Sequence, residues 1–200
     1  LESRNFYVPG VIAIIVMLIT LMLTSMAVVR EKEIGTMEQI MVTPITPTEF
    51  ILGKTVPFAL IGFADVVLVA VVGVFWFAVP IRGSLPLLFG ATALYLMTTL
   101  GIGLLISTVS QTQQQAMMST FFFYFPAVLL SGFMFPIANM PTVIQWLTYL
   151  NPLRYYLVVI RGIFLKGVGP GILWPQMLAL GVMGVCTLWL ASRRFNKTMA

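Results

Sequence analysis

Five runs of about 20 mostly apolar residues divide this 200-residue chain, at 10–29, 57–79, 85–109, 116–135 and 171–192. Each is long enough to cross a hydrocarbon layer about 30 Å thick as an α-helix. Pro9 marks the start of the first run, and Pro126 predicts a kink in the fourth. Residues 136–170 are apolar too, but Pro141, the Asn151 and Pro152 pair and the Gly167, Gly169 and Pro170 cluster interrupt them. The pieces, roughly 10 to 13 residues each, are too short to cross. They predict two half-helices that enter and return to the same side. The expected fold is all-α: a polytopic membrane helix bundle of five transmembrane helices, a re-entrant helical hairpin at 136–170 and a connector at 30–56.

The connector is the polar exception. Four of the six acidic residues lie in it: Glu31, Glu33, Glu38 and Glu49. From residue 30 to 41, Ile34, Met37, Ile40 and Met41 share one side of a helical wheel. Glu31, Lys32, Glu38 and Gln39 lie mostly opposite, while Glu33 intrudes on the apolar side. Thr43 and Pro44 end that helix. Thr46, Pro47 and Glu49 then form a capping box with proline at the first helical position, so a new helix is expected from Pro47 toward the second span. Two short helices with a sharp turn would lie on the membrane surface. An anionic inner leaflet attracts Lys and Arg, not carboxylates, so this acidic segment suits a protein partner.

Composition agrees with the lipid setting. Hydrophobic residues make up 60% and charged residues 8% of the chain, against roughly 25% charged in soluble domains. The net charge of +5 comes from scattered Lys and Arg without a basic face, which excludes nucleic acid as the partner. There is no His, and the single Cys186 lies in an apolar run as an expected buried packing residue. No catalytic residue and no metal site is expected. With the carboxyl end inside, Arg30, Lys32, Lys54, Arg193, Arg194 and Lys197 face the cytoplasm, and Arg4, Arg82, Arg154, Arg161 and Lys166 lie outside. Six against five follows the positive-inside bias, which strengthens if the hairpin holds Arg154 and Arg161. Five crossings then put the amino end outside, so an upstream helix is expected.

The segment "REKEIGTMEQIMVTPITPTEFILGKTVPF" resembles the cytoplasmic loop of ABC-2 type transporter permeases, the membrane subunits of ATP-driven exporters. The resemblance continues through "STVSQTQQQAMM", "SGFMFPIANMP" and "YLNPLRYYLVVIRGIFLKG", in the same order and over nearly the whole chain. It implies a bacterial inner-membrane multidrug-type permease, preceded by one helix and an extracytoplasmic domain. It implies two partners, a cytoplasmic ABC ATPase and a second permease copy or paralogue. It also implies a coupling helix, with Glu31, Glu33, Gly35, Thr36 and Glu38 as the contact that transmits the ATPase motion. The chain has no phosphate-cradling Gly-rich loop followed by Lys and Ser or Thr, so ATP and magnesium belong to the ATPase chain.

Other positions carry two readings each. Asp65, the one ionisable residue deep in a run, is either a substrate-facing carboxylate or an acid close enough to the cytoplasmic end to reach water. Phe121, Phe122, Tyr124 and Phe125 serve lipid or dimer packing, or an apolar path for amphiphiles. Gly101 and Gly103 allow close helix approach. Gln111 to Gln115 form a polar turn, with or without ATPase contact. Asn151, Pro152, Arg154 and Arg161 form an outer gate on the hairpin, with the two arginines attracting anionic groups, or anchor it at the interface. A passive channel would need a polar stripe along one span, a scaffold would not need the acidic connector, and a secondary transporter would need more intramembrane charge.

Overall fold

The structure is a computed structural model that describes residues 2–35, 38–39, 42–44, 46–76, 83–133, 137–167 and 169–199. Its regular elements are helices: α1 (Glu2–Ile34), α2 (Pro47–Phe75), α3 (Leu85–Val109), α4 (Gln113–Leu129), a short 3-10 turn (Ile137–Asn139), α5 (Thr142–Thr148), α6 (Pro152–Arg161) with a π-turn (Gly162–Lys166), and α7 (Pro170–Met199). Among the described residues, four stretches are long and apolar enough to cross a membrane: Tyr7–Glu31, Leu52–Phe75, Leu85–Val109 and Pro170–Arg194.

The predicted fourth span, 116–135, is the element that differs most. It is the 17-residue α4, which starts earlier and stops at Leu129. Pro126 lacks the N–H that would continue the ladder, and the chain turns through Gly132 at φ +88°. At 1.5 Å per residue, α4 is about 25 Å long, at the lower limit for a crossing helix. The first helix also begins earlier than expected, with Pro9 inside it.

α1 and α3 form the centre. A wide stripe on α1 (Ile12, Ala13, Val16, Met17 and Leu21) is buried, as are Leu88, Ala91, Tyr95, Leu96 and Leu100 of α3. α7 packs along α3, while α2 and α4 flank α1. Lipid tails are as apolar as leucine, so close approach and interhelical hydrogen bonds decide these contacts. Gly103 supplies the first: a Cβ there would lie 2.9 Å from Thr24 Cβ of α1. Gly101 likewise faces Thr187 of α7, so both glycines serve packing as expected. Thr98 supplies the second, its hydroxyl donating 3.0 Å to the Leu180 carbonyl of α7. Cys186, expected to be buried, is exposed, at a hollow it lines with Leu94 and Met97 of α3. The apolar run around it covers the whole helix circumference, so an apolar neighbourhood in sequence does not select the inner face there.

Candidate functional site: the acidic connector and the helices it joins

α1 does not stop at Arg30. It carries Glu31 and Glu33 on its last turn and ends at Gly35, whose φ of +90° is the left-handed geometry of a helix C-terminus. Gly35 N–H closes the end on the Glu31 carbonyl at 3.2 Å. The continuous helix expected over 30–41 is therefore broken. Amphipathic spacing ran across Gly35, but its backbone conformation separates Glu31 and Glu33 from the exposed Glu38 and Gln39 beyond it. Thr36 lies outside the described residues. A Cβ on Gly35 would meet nothing within 4 Å in this chain, so the glycine answers a conformational need and not an internal close contact.

The restart is as read from the sequence. Thr46 Oγ1 accepts from Glu49 N at 3.2 Å, and Glu49 Oε2 accepts from Thr46 N at 3.3 Å, with Pro47 in the first turn. From there α2 runs without a break through Pro57 into the second span.

Two carboxylates tie this end of the bundle together. Lys54 Nζ donates to Glu31 Oε1 at 2.7 Å, joining the end of α1 to the start of α2. Gln113 N–H donates to Glu33 Oε2 at 3.2 Å, joining the end of α1 to the start of α4. A carboxylate at a helix N-terminus satisfies an open N–H and opposes the helix dipole. The Gln111 to Gln115 turn is thus a built helix start: Thr112 Oγ1 accepts from Gln115 N at 3.2 Å and Gln115 Oε1 from Gln111 N at 2.8 Å. Sequence reasoning missed the Glu33 contact because its partners are 80 positions apart. A push on the connector would reach α1, α2 and α4 together.

Beside this junction, an apolar cavity of about 590 Å³ opens against α1, lined by Leu18, Ile19, Met22 and Met26 with Phe58 of α2 and Gln113 of α4. The residues expected along a substrate path are not gathered there. Phe122 is 85% exposed and Phe125 58%, both on the outer face of α4. Phe121 stacks on Phe125 with ring centres 5.8 Å apart, and Tyr124 meets Phe125 edge-on at 5.6 Å. Asp65 lies midway along the second crossing stretch, seven residues beyond Phe58 and so on nearly the same helical stripe. Its Oδ2 is buried without a hydrogen-bond partner among the described residues.

At the opposite end, the hairpin breaks where expected, at Pro141, at Asn151 and Pro152, and at Gly167 (φ +64°). Its two arms, α5 and α6, are 7 and 10 residues long, too short to cross. α6 wedges between α1, α3 and α7. Tyr156 stacks flat on Tyr95 of α3 at 4.0 Å and shares a 2.8 Å hydrogen bond with Thr92. Tyr95 in turn donates 3.0 Å to the Ala13 carbonyl of α1. Asn151 joins the hairpin to α4. Its Oδ1 caps α6 by accepting from Leu153 N at 3.1 Å, and its Nδ2 donates 2.7 Å to the Ala127 carbonyl near the end of α4. Pro152 follows at the first helical position, buried. Arg154 and Arg161 lie on the same arm, each beside an aromatic ring.

A family model for ABC-2 family transporter proteins matches residues 1–193. The chain belongs to the ABC-2 transporter family. This ABC-2 permease chain is 41% identical over 196 residues to the probable multidrug ABC transporter permease YbhS of Escherichia coli K12, covering 96% of the chain and 52% of that protein. Against YbhR, also a probable multidrug ABC transporter permease of E. coli K12, it is 36% identical over 197 residues, covering 98% and 54%. Against the E. coli inner membrane transport permease YhhJ it is 33% identical, covering all of this chain and 56% of that one. The chain spans about half the length of the curated relatives it matches.

Proposed function

We propose that this chain is the membrane-spanning part of an ABC exporter permease, moving amphiphilic or drug-like molecules out of a bacterial cell with energy from ATP hydrolysed on a separate subunit. In that reading the ABC ATPase docks at the connector, binds the ATP and magnesium, and drives a pair of permeases, either two copies or a copy and a paralogue. The protein spans the inner membrane five times, with its amino end outside and its carboxyl end in the cytoplasm. The similarity to two probable multidrug permeases and one inner membrane transport permease of E. coli supports the multidrug class and the inner-membrane setting.

The observation that carries the reading is the pair of tethers at one junction, Glu31 to Lys54 and Glu33 to Gln113. A partner pressing on the exposed Glu38 side of Gly35 would move the ends of three helices at once. Those helices border the apolar cavity beside α1, where an amphiphile would bury apolar surface.

The test separates docking from transmission in the intact permease co-expressed with its ATPase. Glu38→Lys should weaken co-purification of the ATPase. Glu33→Gln keeps an acceptor but removes the charge, and should leave assembly intact while lowering substrate-stimulated hydrolysis. Full assembly and full stimulation in both variants would refute coupling through this connector.

A further inference from the structure

A second cavity, about 470 Å³, lies at the hairpin end, between α6, the start of α7 and the turn that follows α4. Three cations line it, Arg154, Arg161 and Lys166, and the described residues of its lining include no carboxylate. The connector acids Glu31, Glu33 and Glu49 belong to the other end of α1 and the start of α2, and Glu38 lies between those two helices. Between the cations the wall is apolar, formed by Leu157, Leu165 and Ile172.

Arg154 and Arg161 are seven residues apart, hence on one stripe of α6 and about 10 Å apart along its axis. Arg154 is held in place. Its Nη1 donates to Thr148 Oγ1, and its guanidinium lies 4.1 Å from the centre of the Tyr149 ring. Thr148 engages one of the five N–H donors of that group. Arg161 lies 5.8 Å from the Phe133 ring, and its Nη2 would be 3.4 Å from a Cβ built on Gly10 of α1. Three like charges around one apolar hollow repel one another, and an anion that enters relieves the repulsion. A small soluble anion would gain nothing from the leucine and isoleucine wall. An anion that carries acyl chains would.

We propose that this cavity binds the phosphate group of an anionic phospholipid, with Arg154, Arg161 and Lys166 as its counter-charges and the apolar wall against its acyl chains. The cavity lies at the end of the bundle away from the connector, and its assignment does not rest on ATP coupling. Free phosphate shares the headgroup chemistry, so the experiment has an arm for each source.

The intact permease, stripped of lipid in detergent, is titrated with phosphatidylglycerol, phosphatidylcholine and inorganic phosphate. Bound lipid is read by native mass spectrometry and by the shift in unfolding temperature. Phosphatidylglycerol should bind at least about tenfold more tightly than phosphatidylcholine, as expected for two or more added cation contacts. Lys166→Gln should cost about fivefold and Arg154→Gln with Lys166→Gln about 30-fold, while Arg154→Lys should keep most of the affinity. Lys166 is exposed, so its variant tests the site even if the arginine variants fail to fold. Equal binding of the two lipids, or Lys166→Gln and the double variant Arg154→Gln with Lys166→Gln both binding like the parent, would overturn the proposal. Inorganic phosphate binding as tightly as phosphatidylglycerol would overturn the lipid assignment.

Discussion

Gly35 offers a sharp test of how the connector works, because two explanations of the glycine rank the same substitutions in opposite orders. Its φ is +90°, and a Cβ added there meets nothing within 4 Å. If glycine is required for backbone shape, the penalty follows left-handed propensity, where alanine loses about 1 to 2 kcal/mol and asparagine loses less. A penalty of that size lowers the population of the bent connector about 5- to 30-fold for Gly35→Ala. A β-branched residue is worse still at positive φ, so the order is Asn above Ala above Val. If glycine is required so that a partner can approach closely, size decides, and Ala ranks above both Asn and Val. The assay is substrate-stimulated ATP hydrolysis by the reconstituted permease and ATPase, with co-purification yield as the check on assembly. Gly35→Asn coupling better than Gly35→Ala supports the conformational explanation. Gly35→Ala coupling like the parent while Gly35→Asn fails would refute it and place the partner's surface directly on the glycine.

Asn151→Ala removes both a helix cap and the donor to a buried carbonyl, and should destabilise the permease by about 2 to 4 kcal/mol in thermal or denaturant unfolding. Asn151→Ser, which can cap but not reach Ala127, should fall between that variant and the parent. Gly103→Val should cost about 1 to 3 kcal/mol by forcing α1 and α3 apart at Thr24, whereas Gly90→Val, where an added Cβ meets nothing within 4 Å, should be close to neutral. Asp65→Asn should reduce export without lowering protein level or ATPase assembly if its carboxylate meets the substrate; unchanged transport returns it to a packing role. In a Cys186→Ser background, single cysteines at Asn139 and Gly169 should react from the same side of the membrane, and labelling from opposite sides would mean that the hairpin crosses.

Local chemistry was the legible part of this chain. Thr46, Pro47 and Glu49 announced a helix start because capping acts over three residues, and the hairpin breaks followed from Pro141, Pro152 and Gly167 for the same reason. Span limits were less legible. Pro9 looked like a helix start and sits inside α1, since one missing N–H does not outweigh the packing of the buried stripe that begins at Ile12. Hydrophobicity carried the fourth run to residue 135, but Pro126 and the positive φ of Gly132 end the helix sooner. Contacts between distant segments were not legible at all. Nothing near Glu33 points to Gln113, and nothing near Asn151 points to Ala127. Such pairs depend on which helix ends the fold brings together, and a strongly apolar sequence leaves few polar positions from which to infer it. The aromatic run shows the same limit: helical spacing places Phe122 and Phe125 on one side but cannot say that the side is the outer one.

The shortness of α4 has a mechanical consequence. It is a strut about 25 Å long, held at one end by Glu33 and at the other by Asn151. One tether lies on the connector side of the bundle and one on the hairpin side, and between them α4 packs on α1 with Ser25 and Thr120 sharing a 3.1 Å hydrogen bond. A stiff strut pinned in that way conveys displacement along its length with little loss, and Pro126 is the point at which it would yield. A displacement at Gln113 would reach the hairpin through this one helix.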